Sequence, residues 1–485
     1  AYQISSTPSP SRSNDMTGVY QIPGTTAQSR SRCQSNSPLM LNSDILSVLR
    51  AYVKASDRGS ILRCREWMQR TASSLPLPIA TGTDRIRENS SPISNAYRLR
   101  IIVFSLEAFQ MRNRFQHRHS LLWGGGTLPQ GSDLPQVPGT TFRLIKAYEP
   151  ERDGYHWLKG VALVRHEGSW VASFGHNTCE RGENNATEVA NARVSHDNGW
   201  TWGPLSTIAA PPGELAASHG VFMVHDGELW AFLGSFHGRG RAGGRVHTRA
   251  YVATPGSVQE GRPAWIQKGV VARDGFWPLQ EPVPMENGNY IVAGVSIGGG
   301  EGGNTIPAVA RVNGVDVTDW QVIRLPYPAP IWGESTVIVN GEEVLLISRS
   351  NRHMLKALVA TSSDYGKTWG PLVESNLPMA DSKPYAGTLS DGRPYLLNTI
   401  CGDIGTAGRN PLSLLIADEP GAPFQTACRV IDSRRPPDGA GGYTSWPYPY
   451  AVEWQGHLWI GIYMGTAGRH ASGAAGLIRL PLATV

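Results

Sequence analysis

The chain has 485 residues, more than one ordinary hydrophobic core contains, so several domains or one large repeat fold is expected. Its net charge of +5 is concentrated in residues 1–137, which hold 16 Lys and Arg against 8 Asp and Glu, and this uneven distribution argues against a nucleic-acid partner. No apolar stretch approaches the ~20 residues of a membrane span, and no secretory signal opens the sequence.

Residues 1–137 are rich in Ser, Pro and Arg and show little alternation between apolar and polar positions. One helix is predicted from Asp44 through Met68, because Asp44 can cap its first turn and apolar residues then recur at helical spacing. The rest is predicted to be disordered or poorly packed, either as a functional arm or as an artefact of the gene start. Its basic run, Arg112–His119, is interpreted as a solvated surface. The folded domain is therefore expected to span residues 138–485.

From Pro138 onward, one pattern occurs six times: an apolar strand, a turn that contains Gly, and a second apolar strand. Asn-Gly and Asp-Gly turns between strands are a strong hairpin signal, because a type I′ turn needs positive φ at both central residues. The turn glycines are Gly168, Gly227, Gly288, Gly341, Gly392 and Gly456.

The spacing between these glycines, 51 to 64 residues, leaves room for about four short strands, which make one blade of a β-propeller. The sequence therefore predicts an all-β, six-bladed β-propeller, with seven blades as the main alternative. Residues 141–147 are expected to close the ring by pairing with residues 477–482.

Two segments of this domain share the pattern Ser-x-Asp-x-Gly-x-Thr-Trp, at Ser195–Trp202 and Ser362–Trp369, and degenerate copies occur at Asp316–Trp320 and Asp418–Phe424. In such a turn the Asp and Ser side chains can bond the backbone, the Gly supplies positive φ and the Trp packs between strands. These motifs are therefore expected to stabilise turns and to take no part in chemistry.

The motifs resemble the Asp boxes, or BNR repeats, of sialidases, which are six-bladed propellers, and the resemblance covers residues 138–485. The segment before the second Asp box resembles the fourth sialidase blade. The resemblance makes Glu334 the residue that activates the nucleophile and Arg349 an arginine of a carboxylate-binding triad. By the same likeness, Arg409 is a triad arginine of the fifth blade, and Tyr448 is the nucleophilic tyrosine of the sixth.

The sequence departs from the sialidase pattern at two places. The first triad arginine is matched by Lys159, which keeps the positive charge but loses the bidentate fork of a guanidinium group. The acid aspartate of the first blade has no clear counterpart, and its neighbourhood offers His176, Asn185 and Glu188 instead. The expected substrate is therefore a terminal carboxylated sugar, either sialic acid or a related acid sugar.

The hairpins give an independent set of residues for the mouth of the central channel. The innermost strand of a blade begins at one rim, so residues seven to nine positions before each turn glycine should lie there together. They are Lys159, His219, Gln280, Glu281, Glu334, Tyr385 with the nearby Lys383, and Tyr448. The partner strands return to the same rim at His176, Ser296 and Arg349. Trp277 and Trp332 could stack on a sugar ring or fill the mouth.

The residue types of this ring suggest a reaction. The lysine and the two arginines could hold a sugar carboxylate by charge-assisted hydrogen bonds. Glu334 could take the phenolic proton of Tyr448, which would make the tyrosine a usable nucleophile toward an anionic sugar. Glu188 or His176 would protonate the leaving group. The leading hypothesis is an exo-acting, sialidase-type glycoside hydrolase without a cofactor or metal, favoured in a secreted or extracellular location.

Two other functions stay open from the sequence. A lyase acting on uronic-acid glycans would use histidine and tyrosine to remove the proton beside a neutralised carboxylate, and His156, His176 and the missing acid aspartate suit that reaction. A non-catalytic glycan-binding propeller would need fewer titratable groups than this ring offers. An unsaturated uronate product would identify the lyase, an intact released sugar the hydrolase, and binding without turnover the glycan-binding protein.

Overall fold

The computed structural model describes residues 120–179, 185–211, 216–237, 245–273, 275–297, 305–467 and 471–485. The predicted helix from Asp44 and the basic run Arg112–His119 lie outside the described residues. The described chain is all-β and forms six antiparallel sheets arranged as the blades of a propeller, together with one two-stranded sheet. The prediction of six blades is confirmed for these residues, and the seven-bladed alternative is wrong.

Each of the first five blades takes consecutive strands of the chain. The first blade contains β2 (Trp157–His166), β3 (Ser169–Asn177), β4 (Glu188–Ser195) and β5 (Ser206–Ala209). The second contains β6 (Ala216–His225), β7 (Glu228–His237), β8 (Arg245–Ala253) and β9 (Trp265–Ala272). The third contains β10 (Phe276–Pro278), β11 (Val283–Pro284), β12 (Tyr290–Ser296), β13 (Ile306–Val312) and β14 (Trp320–Arg324). Both short strands, β10 and β11, pair with β12.

The remaining blades follow the same plan. The fourth contains β15 (Ser335–Asn340), β16 (Glu343–Arg349), β17 (Lys356–Ser362) and β18 (Val373–Pro378). The fifth contains β19 (Tyr385–Thr388), β20 (Pro394–Asn398), β21 (Leu412–Ile416) and β22 (Thr426–Ile431). The sixth contains β24 (Tyr450–Trp454), β25 (His457–Tyr463), β27 (Ala475–Pro481) and β1 (Thr141–Lys146). The small sheet pairs β23 (Tyr443–Ser445) with β26 (Gly465–Thr466).

The sixth blade closes the ring, because it joins the start of the domain to its end. Strand β1 pairs antiparallel with β27, with Thr141 opposite Arg479, as the sequence predicts. The described helices are short: α1 (Pro150–Asp153), α2 (Ile404–Ala407) and one 3-10 turn (Leu482–Thr484). None of them has the length and apolar character needed to cross a membrane.

All six predicted hairpin turns place their glycine at positive φ. Three are two-residue turns in which the preceding residue also has positive φ, as in Glu167 (47°) and Gly168 (78°), which is type I′ geometry. The other three differ, since one glycine opens a two-residue turn and two lie in longer loops, at 285–289 and 389–393. The hairpin prediction therefore holds for every blade, while the turn type varies.

The side chains of the two Asp boxes hydrogen-bond within their own turns, as the sequence predicts. In the first box, Ser195 Oγ donates to Asp197 Oδ1 at 2.8 Å, and Asp197 accepts from the backbone N–H of Thr201 at 2.9 Å. The second box repeats both bonds, with Asp364 accepting from Ser362 and from Thr368 N at 2.8 Å each. Each aspartate thus fixes the backbone of a turn between two outer strands of its blade.

Residues before Pro138 also pack on the propeller. The side chains of five of them are buried: Leu122, Trp123, Leu128, Leu134 and Val137. The amide of Asn376 bonds both backbone groups of Trp123, at 3.0 and 2.7 Å. Trp123 and Gln136 also form parallel bridges with Phe424 and Arg429 of the fifth blade. The described domain therefore includes a segment that begins before residue 138.

Candidate active site

Glu334, Arg349 and Tyr448 meet at the central channel. Glu334 directly precedes β15 and Arg349 ends β16, so the antiparallel ladder places them side by side, with Arg349 N donating to Glu334 O at 2.8 Å. The Tyr448 hydroxyl donates to Glu334 Oε1, and Arg349 Nη1 donates to Glu334 Oε2. Arg349 Nη1 also lies 3.0 Å from the Tyr448 hydroxyl oxygen. All three side chains are buried, so this hydrogen-bonded cluster is largely shielded from water.

The charges of this cluster fix its protonation. Burial opposes ionisation of Glu334, but the positive charges of Arg349 and Lys159 and the hydrogen bonds outweigh it, so the pKa of this carboxyl is lowered. Burial and the Glu334 charge raise the pKa of Tyr448, while Lys159 and Arg349 oppose that rise. In the resting protein, therefore, a neutral tyrosine donates a hydrogen bond to an ionised carboxylate.

Tyr448 is held in an unusual backbone conformation. Its φ is +59°, in the left-handed region that costs a non-glycine residue roughly 1–3 kcal/mol. The ring packs edge-on against Tyr463, with the ring centroids 5.4 Å apart. The ammonium of Lys383 donates to the carbonyl of the next residue, Pro449, at 3.0 Å. The surroundings thus stabilise a strained segment that presents the phenol to Glu334.

Asp381, which no sequence pattern predicted, joins the two arginines. Its Oδ1 accepts from Arg349 Nε at 2.6 Å, and its backbone carbonyl accepts from Arg409 Nε and Nη2 at 3.1 and 2.8 Å. The guanidinium carbon of Arg409 lies 5.8 Å from the ring centroid of Tyr448. That of Arg349 lies 5.1 Å from the ring of Trp332. An acidic residue just before an innermost strand was the available signal for Asp381.

Lys159 and His219 approach Tyr448 from the first and second blades. The Lys159 ammonium lies 5.0 Å from the Tyr448 ring centroid and 5.9 Å from that of Trp277. The His219 ring lies 4.5 Å from Trp277 and 6.5 Å from Tyr448. Glu188 accepts a hydrogen bond from Ser218, the neighbour of His219. The tyrosine is therefore surrounded by three cationic side chains and one imidazole.

A second polar cluster lies around the segment 279–281 of the third blade. The amide of Gln280 donates to the carbonyls of Val337 and Ala386, at 3.0 and 2.8 Å, and its oxygen accepts from Val337 N and from Thr336 Oγ1, at 2.6 and 3.0 Å. These four bonds fill the capacity of a primary amide. Gln280 therefore joins the third, fourth and fifth blades and has no donor or acceptor left for a ligand.

Glu281, Tyr385 and Lys383 form the rest of this cluster. The Tyr385 hydroxyl lies 2.7 and 2.8 Å from the two Glu281 oxygens, and Lys383 Nζ donates to Leu279 O at 3.2 Å. Burial raises the pKa of Glu281, although the bond from Tyr385 opposes it. Burial lowers the pKa of Lys383 to about 8, against the charges of Glu334 and Glu281. Lys383 thus links this cluster electrostatically to Glu334.

His176 and Asn185 have contacts within the first blade. The His176 ring stacks on Tyr155 at 3.7 Å, and its Nδ1 lies 3.2 Å from the amide nitrogen of Asn191. Burial, followed by the Lys146 charge, lowers the pKa of His176 to about 3, so the imidazole is neutral. Asn185 Oδ1 accepts from the Asn177 amide at 3.1 Å. In the described part of the chain, neither residue forms a hydrogen bond with the Tyr448 cluster. Within the same described residues, no group of three or more His, Cys, Asp or Glu is arranged to hold a metal ion.

Comparison with known proteins supports this architecture. A family model described as a BNR repeat-like domain matches residues 271–460. The Trypanosoma rangeli sialidase in complex with the inhibitor DANA is similar with a TM-score of 0.53 and 16% identity. That similarity covers 71% of this chain and 60% of the sialidase, so this chain spans less than two thirds of it. No curated protein sequence matches the chain.

Two further solved structures share the fold at similarly low identity. The Hadza microbial sialidase Hz136 has a TM-score of 0.54 and 15% identity, covering 71% of this chain and 69% of its own. A protein of unknown function from Dyadobacter fermentans has a TM-score of 0.53 and 15% identity, covering 71% of this chain and all of its own. The chain therefore shares the β-propeller fold of these sialidases, and its residues 271–460 are similar to a BNR repeat-like domain.

Proposed function

We propose that the protein is a glycoside hydrolase that releases a terminal carboxylated sugar from a glycan, with Tyr448 as the nucleophile and Glu334 as its base. The observation that carries this proposal is the hydrogen bond from a neutral Tyr448 hydroxyl to an ionised Glu334, with Arg349 bonded to both. A phenol is a poor nucleophile until a base removes its proton, and Glu334 is in position to do so.

The cations around Tyr448 support the choice of an acidic sugar. Lys159, Arg349 and Arg409 come from three blades and surround the phenol. A carboxylate would gain charge-assisted hydrogen bonds from them. A carboxylate nucleophile would be repelled by such a substrate, whereas a neutral tyrosine is not. The positive surroundings also stabilise the phenolate that forms when Glu334 takes the proton.

The reaction has two steps. In the first, the Tyr448 oxygen bonds to the anomeric carbon, the glycosidic bond breaks, the phenolic proton moves to Glu334 and an acid–base group gives a proton to the leaving oxygen. In the second, water attacks the same carbon and loses a proton to that acid–base group, the bond to Tyr448 breaks and the phenolate recovers its proton from Glu334. One structure of the Trypanosoma rangeli sialidase, at 16% identity and a TM-score of 0.50, is a covalent intermediate with 2,3-difluorosialic acid, which is in keeping with such a pathway.

The first test is activity on aryl glycosides of sialic acid and of glucuronic acid, with analysis of the product. We expect an intact released sugar from one of these substrates. Tyr448→Phe should lower turnover at least ~10³-fold, because it removes only the reacting oxygen. Tyr443→Phe is the matched control, since Tyr443 is half-buried in the two-stranded sheet outside the cluster.

Three results would contradict the proposal. An unsaturated product from a uronate would identify elimination, binding without turnover would identify a glycan-binding protein, and near-normal turnover by Tyr448→Phe would exclude the tyrosine nucleophile.

A further inference from the structure

The two-step reaction needs a second proton-transfer group in addition to Glu334. The leaving oxygen must receive a proton in the first step, and water must lose one in the second. Both oxygens of Glu334 are already bonded, to Tyr448 and to Arg349. Because the sequence has no clear counterpart of the sialidase acid aspartate, the candidates for this function are the other described residues near Tyr448.

Glu188, Ser218 and His219 form a hydrogen-bonded relay on the other side of the channel mouth. Ser218 Oγ donates to Glu188 Oε1 and lies 3.3 Å from His219 Nδ1. A hydroxyl has one hydrogen, so Ser218 accepts from Nδ1, which must carry the imidazole proton. His219 Nε2 is then the basic nitrogen. It is buried and has no hydrogen-bond partner among the described residues.

Local irregularities of two innermost strands create this relay. The register of β6 shifts between Ala217 and Gly220, so Ser218 and His219 lie in a bulge. The register of β2 shifts in the same way after Lys159. Bulges redirect side chains and are common beside active sites. The two bulges turn Lys159 and His219 toward the same space beside Tyr448.

Two glycines leave room for the relay. Gly160 has a φ of +65°, and a side chain there would overlap the imidazole of His219. At Gly175, a β-carbon would lie 2.8 Å from Glu188 Oε1 and 3.2 Å from Ser218 Oγ. Any larger residue at either position would therefore displace a member of the relay. The indole N–H of Trp277 fixes the strand by donating to His219 O at 2.7 Å.

From this geometry we infer that His219 is the acid–base residue of the proposed hydrolase, supported by Glu188 through Ser218. The inference rests on the function proposed above. In the first step, protonated Nε2 gives its proton to the leaving oxygen as the glycosidic bond breaks. In the second, neutral Nε2 takes a proton from the attacking water. One proton leaves and one returns, so His219 is restored.

The surrounding charges make protonation of His219 depend on the substrate. Burial, then the charges of Lys159 and Lys383, hold the pKa of His219 well below its usual range, so the imidazole is neutral in the free protein. Glu188, reached through Ser218, is the carboxylate on its other side, and Tyr448 is neutral. A substrate carboxylate beside Lys159 offsets the repulsion and raises the pKa of His219. The acid form is therefore expected once an anionic sugar is bound.

The test compares His219→Asn on two glycosides of the same sugar. A 4-nitrophenyl glycoside needs little protonation of its leaving group, whereas a methyl glycoside needs full protonation. The sugar is whichever of sialic acid and glucuronic acid the wild-type protein hydrolyses. We expect kcat/KM on the methyl glycoside to fall ~10²–10⁴-fold. On the nitrophenyl glycoside it should fall less than ~10-fold, with a burst of nitrophenol before a slow steady state.

Added azide should raise the steady-state rate of His219→Asn, because a small anion attacks the intermediate without a base. The matched control is His225→Asn at the opposite end of β6, where the side chain contacts Tyr290, and it should keep normal rates on both substrates. Ser218→Ala removes the hydroxyl that links Glu188 to His219 but keeps the imidazole. It should reproduce the preference for the nitrophenyl glycoside to a smaller degree.

The outcomes separate this inference from the proposed function. An equal loss on both glycosides, or no response to azide, would show that His219 does not transfer the proton, while the tyrosine mechanism would stand. A wild-type protein that hydrolyses neither sugar would overturn the proposed function and this inference with it. A His219→Asn protein that does not fold would be replaced by His219→Gln, compared by melting temperature before the kinetics.

Discussion

The two sides of the channel mouth are built differently. On the side of blades four to six, Glu334 and Arg349 sit on a regular antiparallel ladder, and Tyr448 meets both. On the side of blades one and two, the register of β2 and β6 is interrupted where Lys159 and His219 lie. In the resemblance predicted from the sequence, the regular side matches the sialidase residue types, whereas the bulged side departs from them. Where the strand register is regular, counting residues back from the turn glycine identifies a site residue and the residue that it bonds. Across a bulge, the same count identifies the site residue but not its hydrogen-bond partner.

The largest effect is expected from the regular side. Tyr448→Phe and Glu334→Gln should each lower turnover at least ~10³-fold, and the double variant should cost little more, because the two residues act as one unit. Rates and melting temperatures of the three variants provide the measurement. Glu343→Gln, near the turn end of the same β15–β16 hairpin, is the control. Multiplicative losses in the double variant would mean that the two residues act independently.

The next effect concerns the segment 120–137, which packs on the fifth blade. A chain that starts at Pro138 loses the burial of Leu122, Trp123, two further leucines and Val137, each worth about 1.5–3 kcal/mol at most. We expect its free energy of unfolding to be several kcal/mol lower than that of a chain that starts at Ser120. Urea denaturation of the two chains measures the difference. Equal stabilities would show that the segment packs without stabilising the domain and would restore Pro138 as a sufficient start.

The sequence predicts the fold better than it predicts the site, and the reason is periodicity. A turn glycine every 51 to 64 residues marks each blade, and counting back from it reaches Glu334 and Tyr448. Asp381 escapes this count because it lies in a connection between blades, where no period applies. Counting does find His219, but its link to Glu188 through Ser218 depends on a bulge that leaves no pattern in the sequence. Gln280 is found by the same count, yet its four inter-blade bonds appear only in three dimensions.

A substitution at Asp381 would weaken contacts of the regular side without changing Tyr448. Asp381→Asn keeps its backbone carbonyl for Arg409 but weakens the ionic bond to Arg349 Nε. We expect kcat/KM to fall ~10–100-fold, mostly through KM, because Arg349 would be less well oriented toward a carboxylate. Initial rates over a range of substrate concentrations separate the effect on KM from the effect on kcat. A loss confined to kcat would place Asp381 in the chemical step.

The Asp boxes provide the same motif on both sides of the molecule. Asp197→Ala in the first blade and Asp364→Ala in the fourth should each lower the free energy of unfolding by about 1–3 kcal/mol, because each removes several turn hydrogen bonds. Turnover per folded molecule should not change. Denaturant unfolding curves and turnover rates, measured on the same samples, separate an effect on stability from an effect on activity. A variant with a normal melt and no turnover would show that its box supports the site directly.

The smallest effect, and the most informative about the bulged side, is expected at Lys159. Its charge lowers the pKa of both Glu334 and His219. The proposed reaction needs Glu334 ionised in the substrate complex, so kcat rises with pH through the pKa that Glu334 has there. It also needs His219 protonated in that complex, so kcat falls as pH rises through the pKa that His219 has with substrate bound. Lys159→Met removes the charge, raises both pKa values and should therefore move both limbs of the profile to higher pH, by up to about one unit.

Lys159→Arg is the matched variant, because it keeps the charge and adds the fork that the sialidase pattern has at this position. Both limbs should stay in place, and KM for the carboxylated sugar should fall a few-fold if two parallel hydrogen bonds form. The pH profile and KM of the two variants then separate the charge of Lys159 from its geometry. Suppose that Lys159→Met left both limbs unmoved. The field that keeps His219 neutral would then come from burial and Lys383, and substrate-dependent protonation through Lys159 would be wrong.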